Sequence, residues 1–288
     1  MEGSMSLFVR PKWKDLISPT LRRRLIGLSA ATASVLLLTW LVDCLQSRLV
    51  DTSFFTGYLL LGCVLFLAAF QIRKRIPAPP LGSAALWLQI HIYVGLAVMG
   101  VFVLHAGVRW PTGWVETPLA ALFCFLCASG LYGLYISRTI PPKLAALREQ
   151  VIFERIPQAA RKLAGDAFAL AGNESLCGAE LASIYRTSIA PFLSRPRGVW
   201  YWLRPSGEGW RRQVIRLQDS HRYLNTEQLR IAQQLESLVR QKDDLDFHAA
   251  MQGRLKLWLW GHIGATYAML TLALVHGVMA HAFHGGAR

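Results

Sequence analysis

Five long apolar blocks leave this chain few folds to choose from. They cover 25–45, 54–72, 84–108, 115–137 and 255–281. Each reaches or exceeds the ~20 residues that cross a hydrocarbon layer as a helix. The chain is 53% hydrophobic, and that excess is gathered into these blocks, as expected of a multi-pass membrane protein and not of a water-soluble one. Between the fourth and fifth blocks lies a long water-compatible stretch, 139–253. The charged lead before the first block is long and contains Pro11 and Pro19, so a retained anchor is expected in place of a cleaved signal peptide.

The net charge of +14 would suit nucleic acid, but its distribution argues otherwise. With Arg22, Arg23 and Arg24 in the cytoplasm, the second span exits inside at Arg73-Lys74-Arg75 and the fourth at Arg138 and Lys143. The 139–253 stretch is then cytoplasmic. Of 31 Lys and Arg residues, all but Arg48, Arg109 and Arg288 fall inside. The positive-inside rule accounts for this bias near the span ends, and the surplus suits an anionic cytoplasmic leaflet. The expected layout is a basic N-terminus (1–24), four helices (25–138), a cytoplasmic insert (139–253), and a fifth helix with a short outer tail (254–288). A bacterial-type inner membrane, with the C-terminus outside, fits this layout.

Two histidine pairs share one spacing. His91 and His105 are 14 residues apart in the third block, and His262 and His276 are 14 apart in the fifth. Fourteen helical residues rise roughly 21 Å in almost four turns. Each pair therefore sits on nearly one face, at two depths. On the charge-derived topology both blocks run from inside to outside, so the inner histidines match in depth and so do the outer ones. Side by side, such helices would stack two histidine pairs, the arrangement that ligates two b-type haems. The residue reading leaves other roles open: an intramembrane histidine can be an interhelical hydrogen bonder, a proton-relay member or a metal ligand. Neutral imidazole suits haem iron through one ring nitrogen while the other N–H finds a partner.

Neighbouring residues fit a flat cofactor. Gly95 is one turn after His91, Gly264 lies near His262, and Gly277 follows His276; small residues at ordinary helix contacts read the same way. Arg109, one turn beyond His105, is placed to pair with a propionate of the outer haem. On the inner side Arg73, Lys74, Arg75, Arg254 and Lys256 are available. Cys124 and Cys127 form a CxxC followed by Ala128, so the CxxCH of covalent haem attachment is missing. The five cysteines suggest no disulfide framework and read as buried thiols.

The segments IHIYVGLAVMGVFVLHAG and WGHIGATYAMLTLALVHG resemble those of the diheme membrane cytochromes b, which include respiratory cytochrome b and smaller four-helix electron-transfer cytochromes. The resemblance covers 85–137 and 255–281, under a third of the chain. It implies that His91 and His262 ligate the inner haem iron, and His105 and His276 the outer one. A PEWY-like quinol motif and an appended flavin or nicotinamide domain are both missing. An electron-transfer subunit is therefore expected in preference to a stand-alone enzyme.

The insert is read as mostly helical. PPKLAALREQVIFERI is expected to form a helix opened by Pro141 and Pro142. A second helix should end near Pro191. In VWYWLRPSGEGWRRQVIRL two aromatic or β-branched runs flank a turn, which predicts a β-hairpin; the other reading is an aromatic segment at headgroup level. Asn225 and Gln228 look like a capping box, opening a helix that runs into the fifth span. The insert's core is expected to be thin, and 139–253 to serve as a cytoplasmic docking platform. His221 and His248 are read as non-ligating, and His281 and His284 as part of a solvated tail.

The fold expectation is thus all-α: five transmembrane helices, a haem-binding bundle and the insert. The functional expectation is a diheme cytochrome b. It would exchange electrons between membrane quinone or quinol and an external redox protein such as a c-type cytochrome, within a larger complex. Two alternatives stay open: a reductase acting directly on a small external acceptor, and a histidine-lined proton or metal transporter without redox chemistry.

Overall fold

The computed structural model describes residues 19–75, 83–147, 149–172 and 174–284. The basic segment before residue 19 and Arg288 of the outer tail lie outside the described residues. Every regular element among the described residues is helical. Four long helices come first: α1 (Pro19–Gln46), α2 (Ser53–Arg75), α3 (Ala84–Ala106) and α4 (Glu116–Ala145). Shorter ones follow: α5 (Ile156–Ala171), α6 (Glu174–Cys177), α7 (Ala179–Ile184), α8 (Ala190–Ser194), α9 (Val199–Leu203) and α10 (Glu208–Ser220). The last, α11, is a single helix from Thr226 to His284. The helices α1 to α4 and α11 are long and apolar enough to cross a membrane.

The chain divides into two compact units, one formed by 1–130 with 263–288 and the other by 131–262; α4 and α11 contribute to both. In the first unit, α3 packs against α1 and α2. Two glycines allow the α1 approach: the Tyr93 ring lies against Gly27 and Val35 against Gly100, each too close for a Cβ on the glycine. Val64 of α2, Val98 of α3, Phe123 of α4 and Met269 of α11 form one buried cluster. The rings of Phe102 and Phe123 stack there, 4.1 Å apart.

Val98 lies midway between His91 and His105, and Met269 midway between His262 and His276. The two midpoints share a core, and seven residues further along both helices His105 and His276 also meet. Two matched levels in the same order mean that α3 and this part of α11 run in the same sense, as the loop charges predicted.

The second unit has a fuller core than expected. Ile156, Leu163, Ala167 and Ala171 line one face of α5. They join Leu181, Ile189 and Leu217, and the α11 residues Ala232, Leu235, Val239 and Leu245. The first half of α11 thus supplies much of the insert's interior. Its start is the expected capping box: Asn225 Oδ1 accepts from the Gln228 N–H at 2.9 Å, and Gln228 Oε1 from the Asn225 N–H at 3.1 Å. The α9 loop is tied to α11 by buried charge. Arg197 donates to Asp243 at 2.7 Å and to Asp246 at 3.1 Å, and Lys242 pairs with Asp246 at 2.5 Å.

Three local expectations need correction. The predicted β-hairpin is two helices, α9 and α10, joined by a short turn. The reason is periodicity: Trp210, Val214 and Leu217 fall at i, i+4 and i+7 and pack on the insert core, a helical spacing that outweighs aromatic β-propensity. Pro141 and Pro142 do not open a helix; they sit near the end of α4, and the next α-helix starts at Ile156. In the segment ending near Pro191, Gly178 at φ +83° separates α6 from α7, and a π-turn spans Tyr185–Ile189. Pro191 cannot donate to the Thr187 carbonyl, and this wider turn takes the chain past it into α8.

Candidate functional site

The first unit brings His105 and His276 together. Their ring centroids are 6.4 Å apart with planes at 82°. His105 sits one residue before the end of α3, where Gly107 at φ +71° turns the chain. Its Nδ1 lies 3.1 Å from Thr56 Oγ1. The Thr56 hydroxyl, 1% exposed, has carbonyl acceptors of its own helix at Thr52 (3.0 Å) and Ser53 (3.1 Å). With that proton given to a carbonyl, the oxygen can accept from the histidine, an arrangement in which His105 carries its proton on Nδ1.

His276 is held less closely: its Nδ1 lies 3.4 Å from Glu116 Oε1, at the first residue of α4, and makes no hydrogen bond among the described residues. Gly57 lies against the same ring: a Cβ there would come within 2.9 Å of His105 Cε1.

A metal–imidazole bond is about 2.0 Å, and a ring nitrogen lies roughly 1.1 Å from the centre of a ring with bonds of about 1.33 Å. Two imidazoles on opposite sides of one metal therefore have centroids roughly 6.2 Å apart. The separation of His105 and His276 fits that demand. Rotation about a shared ligation axis leaves the angle between the planes free. Among the described residues no group of three or more His, Cys, Asp or Glu side chains forms a site for a bare ion. Two imidazoles leave a zinc ion short of its usual four ligands, whereas a haem iron needs just two axial ones.

The other predicted residues are placed as follows. His91 is half-buried on α3, its ring 5.3 Å from that of Phe70. His262 belongs to the second unit, its ring 5.6 Å from that of Trp258. Open space adjoins Gly95, Gly264 and Gly277, where a Cβ would meet nothing within 4 Å. Arg109 differs from expectation. The helix ends at Ala106, so Arg109 lies in the exposed turn after it, not one helical turn above His105.

His281 also departs from the tail reading. It lies on α11, which extends to His284. Its Nδ1–H donates to the Gly277 carbonyl at 3.1 Å, and its Nε2 accepts from the Tyr58 hydroxyl at 2.7 Å. In the insert, His248 Nε2–H donates to the Glu149 carbonyl at 2.8 Å, and its Nδ1 accepts from Gln252 at 3.2 Å. His221 lies 3.4 Å from Glu236.

Thr56, Gly57 and Glu116 escaped the sequence reading. A signal existed for Glu116, a lone carboxylate in an apolar block and for that reason a functional candidate. Thr56-Gly57 is a small pair inside the second block, indistinguishable by pattern from helix-contact residues. No protein-family model, curated protein or solved structure matches this chain.

Proposed function

We propose that this chain is a membrane-embedded electron carrier, a diheme b-type cytochrome subunit. One observation carries the reading: two imidazoles from separate helices lie with ring centroids 6.4 Å apart, a separation that suits ligation of one metal, and His105 has Nδ1 beside the Thr56 hydroxyl. In this reading His105 and His276 hold the outer haem. Thr56 orients the His105 ring, Glu116 lies beside His276, and Gly57 leaves room for the His105 ring. For His91 and His262 as ligands of the inner haem, the argument is the equal spacing in sequence. Bound haem supplies reversible one-electron transfer. The imidazoles of His105 and His276 would hold the group, and the chemistry it would supply is electron transfer and not oxygen binding.

Membrane quinone or quinol is the proposed inner donor or acceptor, because it can approach a haem edge laterally between helices. The described outer loops are short (47–52 and 107–115), so the outer partner is a separate redox protein, such as a c-type cytochrome. Pyridine-haemochrome content of the purified chain tests the reading, with two haems per chain expected. His105→Ala should remove one and leave the other. A chain purified without haem, or a His105→Ala variant with its haem content intact, would overturn it.

A further inference from the structure

The insert is clasped to α11 at the residues where its apolar span begins. Gln252 donates to the Val151 carbonyl at 2.7 Å. The Trp202 ring lies against Gly253, leaving no room for a Cβ there. Arg254 Nε donates to the Trp202 carbonyl at 3.1 Å, and its Nη2 to that of Leu203 at 2.8 Å. Lys256 lies 4.2 Å over the Phe153 ring and pairs with Glu154. Four positions within 252–256 thus carry two separate segments, 151–154 and α9. Those positions rise only about 6 Å along the helix, so both segments sit at one level.

Both segments turn large apolar side chains outward at that level. Trp200 is 83% exposed, Leu203 65% and Ile152 60%. Leu257 and Trp260, on the span itself, are exposed as well. Exposed Arg204 directly follows Leu203, and exposed Arg155 ends the turn that begins after Ile152. Apolar side chains with adjacent arginines, level with the start of a membrane span, match the chemistry of the headgroup layer.

We propose that Ile152, Trp200 and Leu203 form an interfacial collar around α11, seated in the headgroup layer of the leaflet that faces the insert. Arg155 and Arg204 meet anionic lipid phosphates there. The collar sets the depth at which α11 leaves the bilayer and holds the insert against the membrane. This rests on residues 255–281 crossing a bilayer and is independent of haem.

The test uses the full-length protein in vesicles of phosphatidylcholine with phosphatidylglycerol. Trp200→Cys, Leu203→Cys, Trp260→Cys and Tyr223→Cys each carry a polarity-sensitive fluorophore in a background without other cysteines. Tyr223 is exposed on the insert, in the 3-10 turn His221–Tyr223 after α10. Labels at 200 and 203 should be quenched by a nitroxide high on the lipid acyl chain and shielded from aqueous iodide. The label at 223 should respond to iodide alone. If 200 and 203 behave like 223, the collar is wrong, whether those residues face water or a protein partner. If the label at 260 also escapes lipid quenching, the span itself is wrong. Spin-labelled phosphatidylglycerol should associate more than spin-labelled phosphatidylcholine, and Arg155→Glu with Arg204→Glu should abolish that preference. Equal association in the unmodified protein would overturn the anionic-lipid contact.

Discussion

The Thr56 hydroxyl lies 3.1 Å from His105 Nδ1 and can accept from it when its own proton goes to the Thr52 carbonyl. Thr56→Val keeps the shape and removes the acceptor. It should weaken haem retention at the outer pair roughly 10–100-fold, the usual cost of losing a second partner behind a ligand. Thr56→Ser should restore it. Haem titration of the stripped protein separates the two variants. A different residue-scale balance governs Asp243 in the insert. Burial pushes its carboxyl from 3.8 up to about 6; the Arg197 guanidinium opposes the rise, and Asp246 and Asp244 add to it, with Lys242 opposing. Burial also pushes the Tyr201 phenol up, so it stays protonated beside them. A carboxyl whose folded pKa lies above its unfolded value stabilises the fold most fully below the unfolded value. That contribution is lost as pH rises through the folded one. The Asp243 contribution therefore disappears between about 4 and about 6. Asp243→Asn should flatten the fall in insert stability across that window, read from thermal unfolding of the full chain at a series of pH values. An unchanged slope would show that Asp243 does not titrate there.

At the scale of elements, α11 does two jobs with one unbroken helix: its first half supplies insert core and its second half a membrane span. Leu235 and Val239 are fully buried in that core. Leu235→Ala leaves a cavity and should cost the insert about 2–5 kcal/mol. The measurement is hydrogen exchange of α5 and α10, which should accelerate while the α3 amides stay protected. What the sequence revealed here was local. The five spans, the cap at Asn225 and Gln228, and the join of insert helix to span all follow from windows a few turns long. The α9–α10 pair was misread because aromatic runs take their conformation from what they pack on, and only the Trp210–Val214–Leu217 spacing signalled a helix. The outer pair was legible in the equal spacing of the histidines. Their partners were not: Thr56 reaches His105 across 49 residues of chain, and Glu116 reaches His276 from another helix. Contacts between distant segments leave no periodic trace. The placement of Arg109 one helical turn above His105 failed because it extended a helix past Gly107, whose positive φ ends it.

For the whole molecule, the basic residues and the histidines make one joint statement about direction. In the proposed topology the Gln46–Ser53 turn is outside and the insert inside. On that proposal Thr56, at the start of α2, is near the outer surface, and so is the His105–His276 pair. Electrons passing through that pair would leave on the side opposite the insert, so the sidedness of the chain decides which partner each face can meet. Ser47 and Ser206 are both exposed in short turns, and a cysteine at either should be tolerated. With a membrane-impermeant maleimide, Ser47→Cys should react in intact cells, whereas Ser206→Cys should react only after permeabilisation. Unmodified chain serves as the control for its own thiols, of which Cys177 is fully buried. The reverse labelling pattern would invert the topology. It would put the outer pair on the cytoplasmic side and the insert with the external partner, and the proposed direction of exchange would have to be redrawn.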